Sequence, residues 1–429
     1  MYVSSPFLVL GLSPEIFDVH IKNREYKGLS NGEVLSGRLQ VVHRHHLHTG
    51  LAEGARRHGP NIVIDARVSK IDYSPGPEVT VTTEKGATYT FDLLIGSDGL
   101  KSVVRKALFP DVKPRAPTTN AAYRALIPYE TVYNEVPEAK ELFGNNIDVW
   151  MLEKGYVITY PISAGKDFNL VLSHHRSKPV EDIEDVDIDE LRKFYNDIDP
   201  RVQKVIKLIP DSKGWPLMVT GPLESWSSPT KNVVLMGDAA HSIVNHMVQG
   251  AATSMEDGTF LGRVIGEVVE GVLSLQEAVA IYEKTRMPRA LVKQQSSFTL
   301  GAVYMFEDGP RQRTRDDSST GSVETTEGQD AVERLTQGGN RRVEGPDPNA
   351  QSWNLWDAPE SMQSVFGYDA EGDAEGDADH AVLVYLQDHR EKGWDRWTGM
   401  SRGLEEKWTG WYLPREEVGR IRNSRGSKF

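Results

Sequence analysis

The feature that most constrains the fold is Asn232-Val233-Val234-Leu235-Met236, which ends in Gly237-Asp238 and leads into an amphipathic stretch from about Gly250 to Glu270. A short apolar run closed by a tight turn and followed by helical spacing predicts a strand, a turn and a helix, the repeating unit of an α/β sheet. Met255, Leu261, Ile265 and Val268 are the predicted anchors of that helix, and a further helix is predicted over roughly Leu275–Gly301. A second apolar run, Asp92–Gly96, reads as a strand buried on both faces and stops at Ser97-Asp98-Gly99.

Around these two strands the pattern turns antiparallel. From Asn61 to Gly99 the chain reads as β-rich, starting with the alternation of Ile62 and Ile64; Val79–Thr82 and Thr88–Phe91 flank Glu84-Lys85-Gly86 and predict a hairpin. Ala121–Ile127, Ile147–Leu152, Tyr156–Ile162 and Phe168–Ser173 predict an antiparallel sheet, and Asp182–Ile198 predicts an acidic surface helix. Past Met305 the apolar residues thin out; Glu307–Asn349 is too polar to offset the entropy of ordering and is expected to be disordered. Six of the nine Trp nevertheless fall between Trp353 and Trp411, so the tail keeps material for local packing.

Composition narrows the chemistry. A length of 429 residues suggests two to three domains, at ~150 residues each. The net charge of −13 is the wrong sign for a chain built to neutralise nucleic-acid phosphates or anionic lipid. With no Cys there is no thiolate nucleophile, disulfide or Cys-based metal site, so redox chemistry must come from a bound cofactor. No run approaches the ~18–20 apolar residues of a membrane span, and the opening stretch lacks the basic region and cleavage site of a secretory signal. A cytoplasmic location is the default expectation.

The motif Asp92-Leu-Leu-Ile-Gly-Ser-Asp-Gly-Leu-Lys-Ser-Val-Val-Arg105 precedes Val233-Val-Leu-Met-Gly-Asp-Ala-Ala-His-Ser242 and Gln249-Gly-Ala-Ala-Thr-Ser-Met-Glu-Asp257. With Val42–His48 and Tyr282–Arg289, this ordered set resembles the FAD-dependent aromatic hydroxylases, the single-component flavoprotein monooxygenases of the salicylate hydroxylase type. The resemblance runs from about Leu10 to Asp316. It implies an α/β fold with a Rossmann-like FAD-binding domain, an inserted antiparallel substrate-binding sheet and a partly disordered acidic tail. The expected divisions are 1–118 and 221–306 for the two parts of the FAD domain, 119–220 for the sheet and 307–429 for the tail. The implied reaction is hydroxylation of a phenolic or carboxylated aromatic by O2 and NAD(P)H, in secondary metabolism or aromatic catabolism.

Family members open with a strand, a G-x-G-x-x-G turn and a helix; no such motif occurs in these 429 residues, so an amino-terminally truncated FAD domain is expected. The alternative reading is a non-catalytic remnant that does not hold FAD. The resemblance assigns cofactor contacts to Arg44, Asp98, Gly237, Asp238, Gly250 and Ala251. Asp238 would take an FAD hydroxyl, and the helix beginning at Gly250 would aim its free N–H groups at the flavin edge. His43, His45, His46 and His48 have no locally spaced carboxylate or Cys to complete a metal site, and no metal is assigned. His241 is read as a structural neighbour of the flavin.

On the middle sheet Ala122, Arg124 and Leu126 share a face by the two-residue period, as do Tyr156, Ile158 and Tyr160. An arginine among small apolar neighbours needs an anion, and a phenolate or carboxylate substrate would supply it. Tyr123–Pro128 also resembles the family strand whose Arg reaches the substrate pocket, and Tyr160-Pro161 the family's Tyr-Pro, so the resemblance makes Arg124, Tyr156 and Tyr160 the candidate catalytic residues.

Overall fold

A computed structural model describes residues 43–309, except 74, 75, 77, 143–147 and 164, together with 18, 19, 39, 40 and 312. The readings made for Met1–Leu12 and for the tail beyond 312 lie outside the described residues. At the amino-terminal end β1 (Asp18–Val19) pairs antiparallel with β2 (Leu39–Gln40). Helix α1 (Arg44–Arg57) follows, with His43 as its cap: the imidazole accepts from the His45 N–H at 3.2 Å.

Strands β3 (Val68–Asp72), β4 (Val79–Thr83) and β5 (Thr88–Phe91) form a three-stranded antiparallel sheet, which contains the predicted hairpin. The expected strand character of Ile62 and Ile64 is not found. That segment carries no strand, Ile64 is 79% exposed, and Asp65 takes a left-handed φ of 59° that breaks an extended run. β6 (Leu94–Gly96) then pairs in parallel with β13 (Val233–Leu235), so the two apolar runs lie side by side as the sequence implied. β6 is less enclosed than expected, with Ile95 42% exposed, while β13 is fully buried.

After α2 (Val103–Leu108), the chain enters a six-stranded antiparallel sheet. β7 (Asn120–Pro128) is followed by α3 (Tyr129–Glu135) and α4 (Ala139–Leu142), and then by β8 (Asp148–Leu152), β9 (Gly155–Ile162) and β10 (Asp167–His175). The predicted helix over Asp182–Ile198 is instead an edge strand, β11 (Glu184–Asp185), followed by the shorter α5 (Ile188–Phe194). Asp187 starts α5 by accepting from the Asp189 and Glu190 N–H groups, which fixes its beginning well after Asp182. α6 (Pro200–Lys207) and β12 (Lys213–Pro216) complete the layer, in the order β11-β12-β7-β10-β9-β8.

One face of this sheet packs Tyr123, Ala125, Ile127, Leu170 and Leu172 against α3, α5 and α6. The other face carries Tyr156, Ile158, Val149 and Val171, against Met247 and the end of the last helix. The segment leaves and rejoins the rest of the fold at one place: Arg115 and Val219 exchange backbone hydrogen bonds at 3.0 and 2.9 Å.

The last elements are α7 (Asp238–His241), a 3-10 turn at Asn245–Met247, α8 (Gly250–Val269) and α9 (Leu275–Tyr304). Ser274 and Glu277 close a reciprocal capping box at the start of α9. The anchors of α8 are Phe260, Leu261 and Val264, with Ile265 and Val268 partly buried; Met255, predicted inward, is 43% exposed. No helix among the described residues is long and apolar enough to cross a membrane.

Candidate active site

Gly237 ends β13 with φ 61° and ψ −143°, and a Cβ there would stand 2.8 Å from Ser254 Oγ. Only glycine lets β13 turn this close beneath α8. The turn is held from behind. Asp257 Oδ2 accepts from the Gly237 N–H at 3.2 Å and is bonded to His241 Nε2 at 2.5 Å, while its Oδ1 accepts from Arg286 Nε at 2.9 Å. Arg286 also donates to Glu256 at 2.7 Å, and Glu256 accepts from Arg289 and Lys293 at 2.7 and 2.6 Å. Burial resists ionisation of Glu256, but Arg289 and Lys293 outweigh it and hold the carboxyl down at about 2. Burial drives Lys293 down to about 8. His241 is thus built into this internal ion network.

Asp238, next in the chain, is exposed. Surrounding protein nevertheless raises its carboxyl above the ordinary range, opposed by His241 and by Arg44 at the start of α1. Among the described residues it accepts no hydrogen bond. A Cβ on Gly250 would lie 3.9 Å from Asp238 Oδ1, so the first residue of α8 abuts this carboxylate, and no side chain caps that helix. Ala251, in the first turn of α8, is exposed. Free N–H groups, a nearby acceptor and a cation suit a ligand bearing both hydroxyls and negative charge. Val248 stands beside this start in a left-handed conformation at φ 56°, with 63% of its surface exposed.

Asp98 has a different setting. Its carboxylate accepts from Ser102 Oγ at 2.5 Å and from the Val103 and Val104 N–H groups at 2.6 and 3.2 Å, fastening α2. Arg105, 2% exposed, donates to Leu100 O at 2.5 Å and Ala239 O at 2.8 Å, tying the first motif to the second.

Arg124, Tyr156 and Tyr160 do share one sheet face. Arg124 is exposed and its Nε donates to Asn169 Oδ1 at 2.7 Å. Tyr160 lies near both; burial raises its hydroxyl pKa, while Arg124 and Asn169 oppose the rise. Tyr156 sits apart at the covered end: it is wholly buried and its hydroxyl is bonded to His246 Nδ1 at 2.7 Å. Burial pushes that hydroxyl up and His246 down to about 3, so both are neutral near pH 7. Burial lowers the pKa of His43 and the charge of Arg124 lowers it further, while the adjacent Arg44 acts on Asp238. A separate cavity of about 390 Å³ opens on the opposite face of the sheet, beside Tyr123, His174, Arg176 and Phe194, away from these residues.

Sequence reasoning missed Asn169, a polar residue between Phe168 and Leu170 in β10. It also gave Asp257 and Arg286 no role although both fall within quoted motifs; a buried Arg spaced for α8–α9 contact was the available signal.

No family model matches the chain. Over 288 residues it is 30% identical to 3-hydroxybenzoate 6-hydroxylase of Klebsiella oxytoca, covering 67% of this chain and 68% of that one. It is 29% identical over 278 residues to salicylate hydroxylase of Pseudomonas putida, covering 61% of each. The fold matches a salicylate hydroxylase substrate complex with a TM-score of 0.59, at 20% identity over 80% of this chain and 79% of that one. The chain belongs to the FAD-dependent aromatic hydroxylases, a family of flavoprotein monooxygenases. It spans between 61% and 68% of the length of these two relatives.

Proposed function

We propose that the chain binds FAD and hydroxylates a phenolic or carboxylated aromatic with NAD(P)H and O2, as a cytoplasmic enzyme of secondary metabolism or aromatic catabolism. The observation that carries this reading is the Gly237 turn, which sets Asp238 Oδ1 against the uncapped start of α8 at Gly250.

FAD, when bound, supplies the redox chemistry, accepting a hydride and activating O2. The protein supplies the rest. Asp238 accepts from a cofactor hydroxyl, Arg44 offers a cation, and the uncapped start of α8 at Gly250 and Ala251 presents N–H groups. Gly237 gives the turn its close approach, and Asp98 sets the second turn by holding α2. Arg124 holds the substrate anion and favours its phenolate form; Tyr160 contributes a neutral hydroxyl and Tyr156 supports the covered end. In this reading residues 1–118 and 221–306 make the cofactor region and 119–220 the substrate region.

The test is a titration of the purified full chain with FAD, followed by quenching of flavin fluorescence, and then NADH or NADPH oxidation with and without aromatic acids. Saturable binding and aromatic-stimulated oxidation are expected. A chain that takes up no FAD is the non-catalytic alternative, and the proposal fails.

A further inference from the structure

Among the described residues, five that are not glycine take a positive φ: Asp65, Lys154, Ser163, Lys231 and Val248. Four of them are polar or charged. Val248, at φ 56°, is the apolar one, and a β-branched side chain tolerates this region least because both of its methyl groups crowd the backbone. With 63% of its surface exposed, Val248 gains little from burial to offset that strain. The conformation is imposed from behind. Ser297 Oγ accepts from the Met247 N–H at 3.1 Å and donates to Val244 O at 2.6 Å, Gln294 Nε2 donates to Ser242 O at 2.8 Å, and His246 is bonded to Tyr156 at 2.7 Å. α9 and β9 thus fix the turn, and a glycine or asparagine at 248 would follow the same path with less strain.

The strained residue lies at a seam. On one side of it in the chain, Met247 packs into the layer of Tyr156 and Ile158 on the sheet face; on the other, Gly250 abuts Asp238. Backbone strain that the surroundings over-determine gathers at active sites and ligand clamps. We infer that Val248 is a covering residue of the cofactor region: its strained backbone sets an exposed apolar side chain between the Asp238–Gly250 corner and the sheet face, where it shields the bound cofactor from water. The inference rests on the flavin reading above and adds a residue to it. An apolar cover that displaces water strengthens the polar contacts beside it, here those of Asp238 and of the N–H groups that open α8.

Val248→Gly in the full chain separates strain from cover through two readings. The first is the thermal midpoint of the ligand-free chain, which relief of the strain should raise by about 2–4 °C. The second is the access of iodide to bound FAD, read as collisional quenching of flavin fluorescence; loss of the cover should raise the quenching constant severalfold. A midpoint that stays or falls, or a quenching constant that does not change, overturns the inference, since a side chain kept only for the fold gives one or the other. Should Val248→Gly bind too little FAD to be read, Val248→Asn carries the same expectation, because asparagine accepts the left-handed turn without loosening the backbone and puts a polar tip where the methyl groups stood. FAD uptake by the native chain, read in the same samples, keeps the two ideas apart. Uptake with unchanged quenching in the variants sinks Val248 alone, whereas a native chain that takes up no FAD sinks the flavin reading and Val248 with it.

Discussion

Asp257 and His241 are bonded at 2.5 Å across 16 residues of chain, with 0% and 2% of their side chains exposed. Through this contact a helix residue dictates the shape of the Gly237 turn, since the same carboxylate oxygen takes the Gly237 N–H. Asp238 follows directly on the turn that Asp257 holds.

Asp257→Ala should therefore cost more than its own contacts. It strands Arg286, 1% exposed, beside Glu256 alone and frees the turn. Breaking one partner from a buried charge pair typically costs about 3–5 kcal/mol. Urea unfolding should show a loss of that order; a loss under about 1 kcal/mol would mean that the network contributes little.

Two glycines in the carboxyl-terminal helices should respond in opposite directions to alanine. A Cβ on Gly301 would meet His246 Cδ2 at 2.3 Å, whereas one on Gly262 meets nothing within 4 Å. Gly262→Ala should stabilise by about 0.5–1 kcal/mol through helix propensity. Gly301→Ala should destabilise, because overpacking of about 1–3 kcal/mol exceeds the same gain. Thermal midpoints that moved together would contradict the placement of the His246 ring.

Acid should unfold the chain partly through Glu256. Its carboxyl is held at about 2, below the ordinary value of 4.5, so the folded state binds fewer protons than the unfolded one in this interval. The stabilisation is complete above the ordinary value and is lost as pH falls toward 2. Glu256→Gln should be less stable at neutral pH and lose less on acidification, as read from stability measured between about pH 6 and 2. Parallel acid profiles for the two proteins would remove Glu256 from the account.

Arg124→Ala and Asp238→Ala should fail differently. The first should depress substrate hydroxylation by about thirty- to a thousandfold, worth about 2–4 kcal/mol, and leave FAD binding intact. The second should weaken FAD. Loss of FAD affinity in Arg124→Ala, or hydroxylation at the native rate, would show that the substrate anion is held elsewhere.

The strand, turn and helix from Val233 to Val269 were legible because each rests on local pattern: an apolar run, a glycine required by the turn, and helical spacing. The shared face of Arg124 and Tyr160 followed from the two-residue period alone. What pattern could not give was anything decided by a distant partner. Asp257, Arg286 and His241 look like ordinary polar residues until two helices and a turn are packed together, and Asn169 is meaningful only because Arg124 of a neighbouring strand reaches it. Met255 failed for a related reason, as helical spacing admits a stripe wider than the face that α9 and β13 cover. Asp182–Ile198 failed because Glu184 pairs with Gly214 of β12, which makes β11 the edge strand of the sheet.

The paired backbones of Arg115 and Val219 bring the two ends of a hundred-residue excursion to one point. Closure entropy grows only with the logarithm of length, about 0.6 kcal/mol per doubling, so strands and loops in the excursion can lengthen or shorten at little thermodynamic expense. The junction and the Arg105 tie behind it isolate the Gly237 turn from such edits. On the proposed function, a lineage can accordingly rewrite which molecule the sheet admits while the neighbouring turn inherits its shape unchanged.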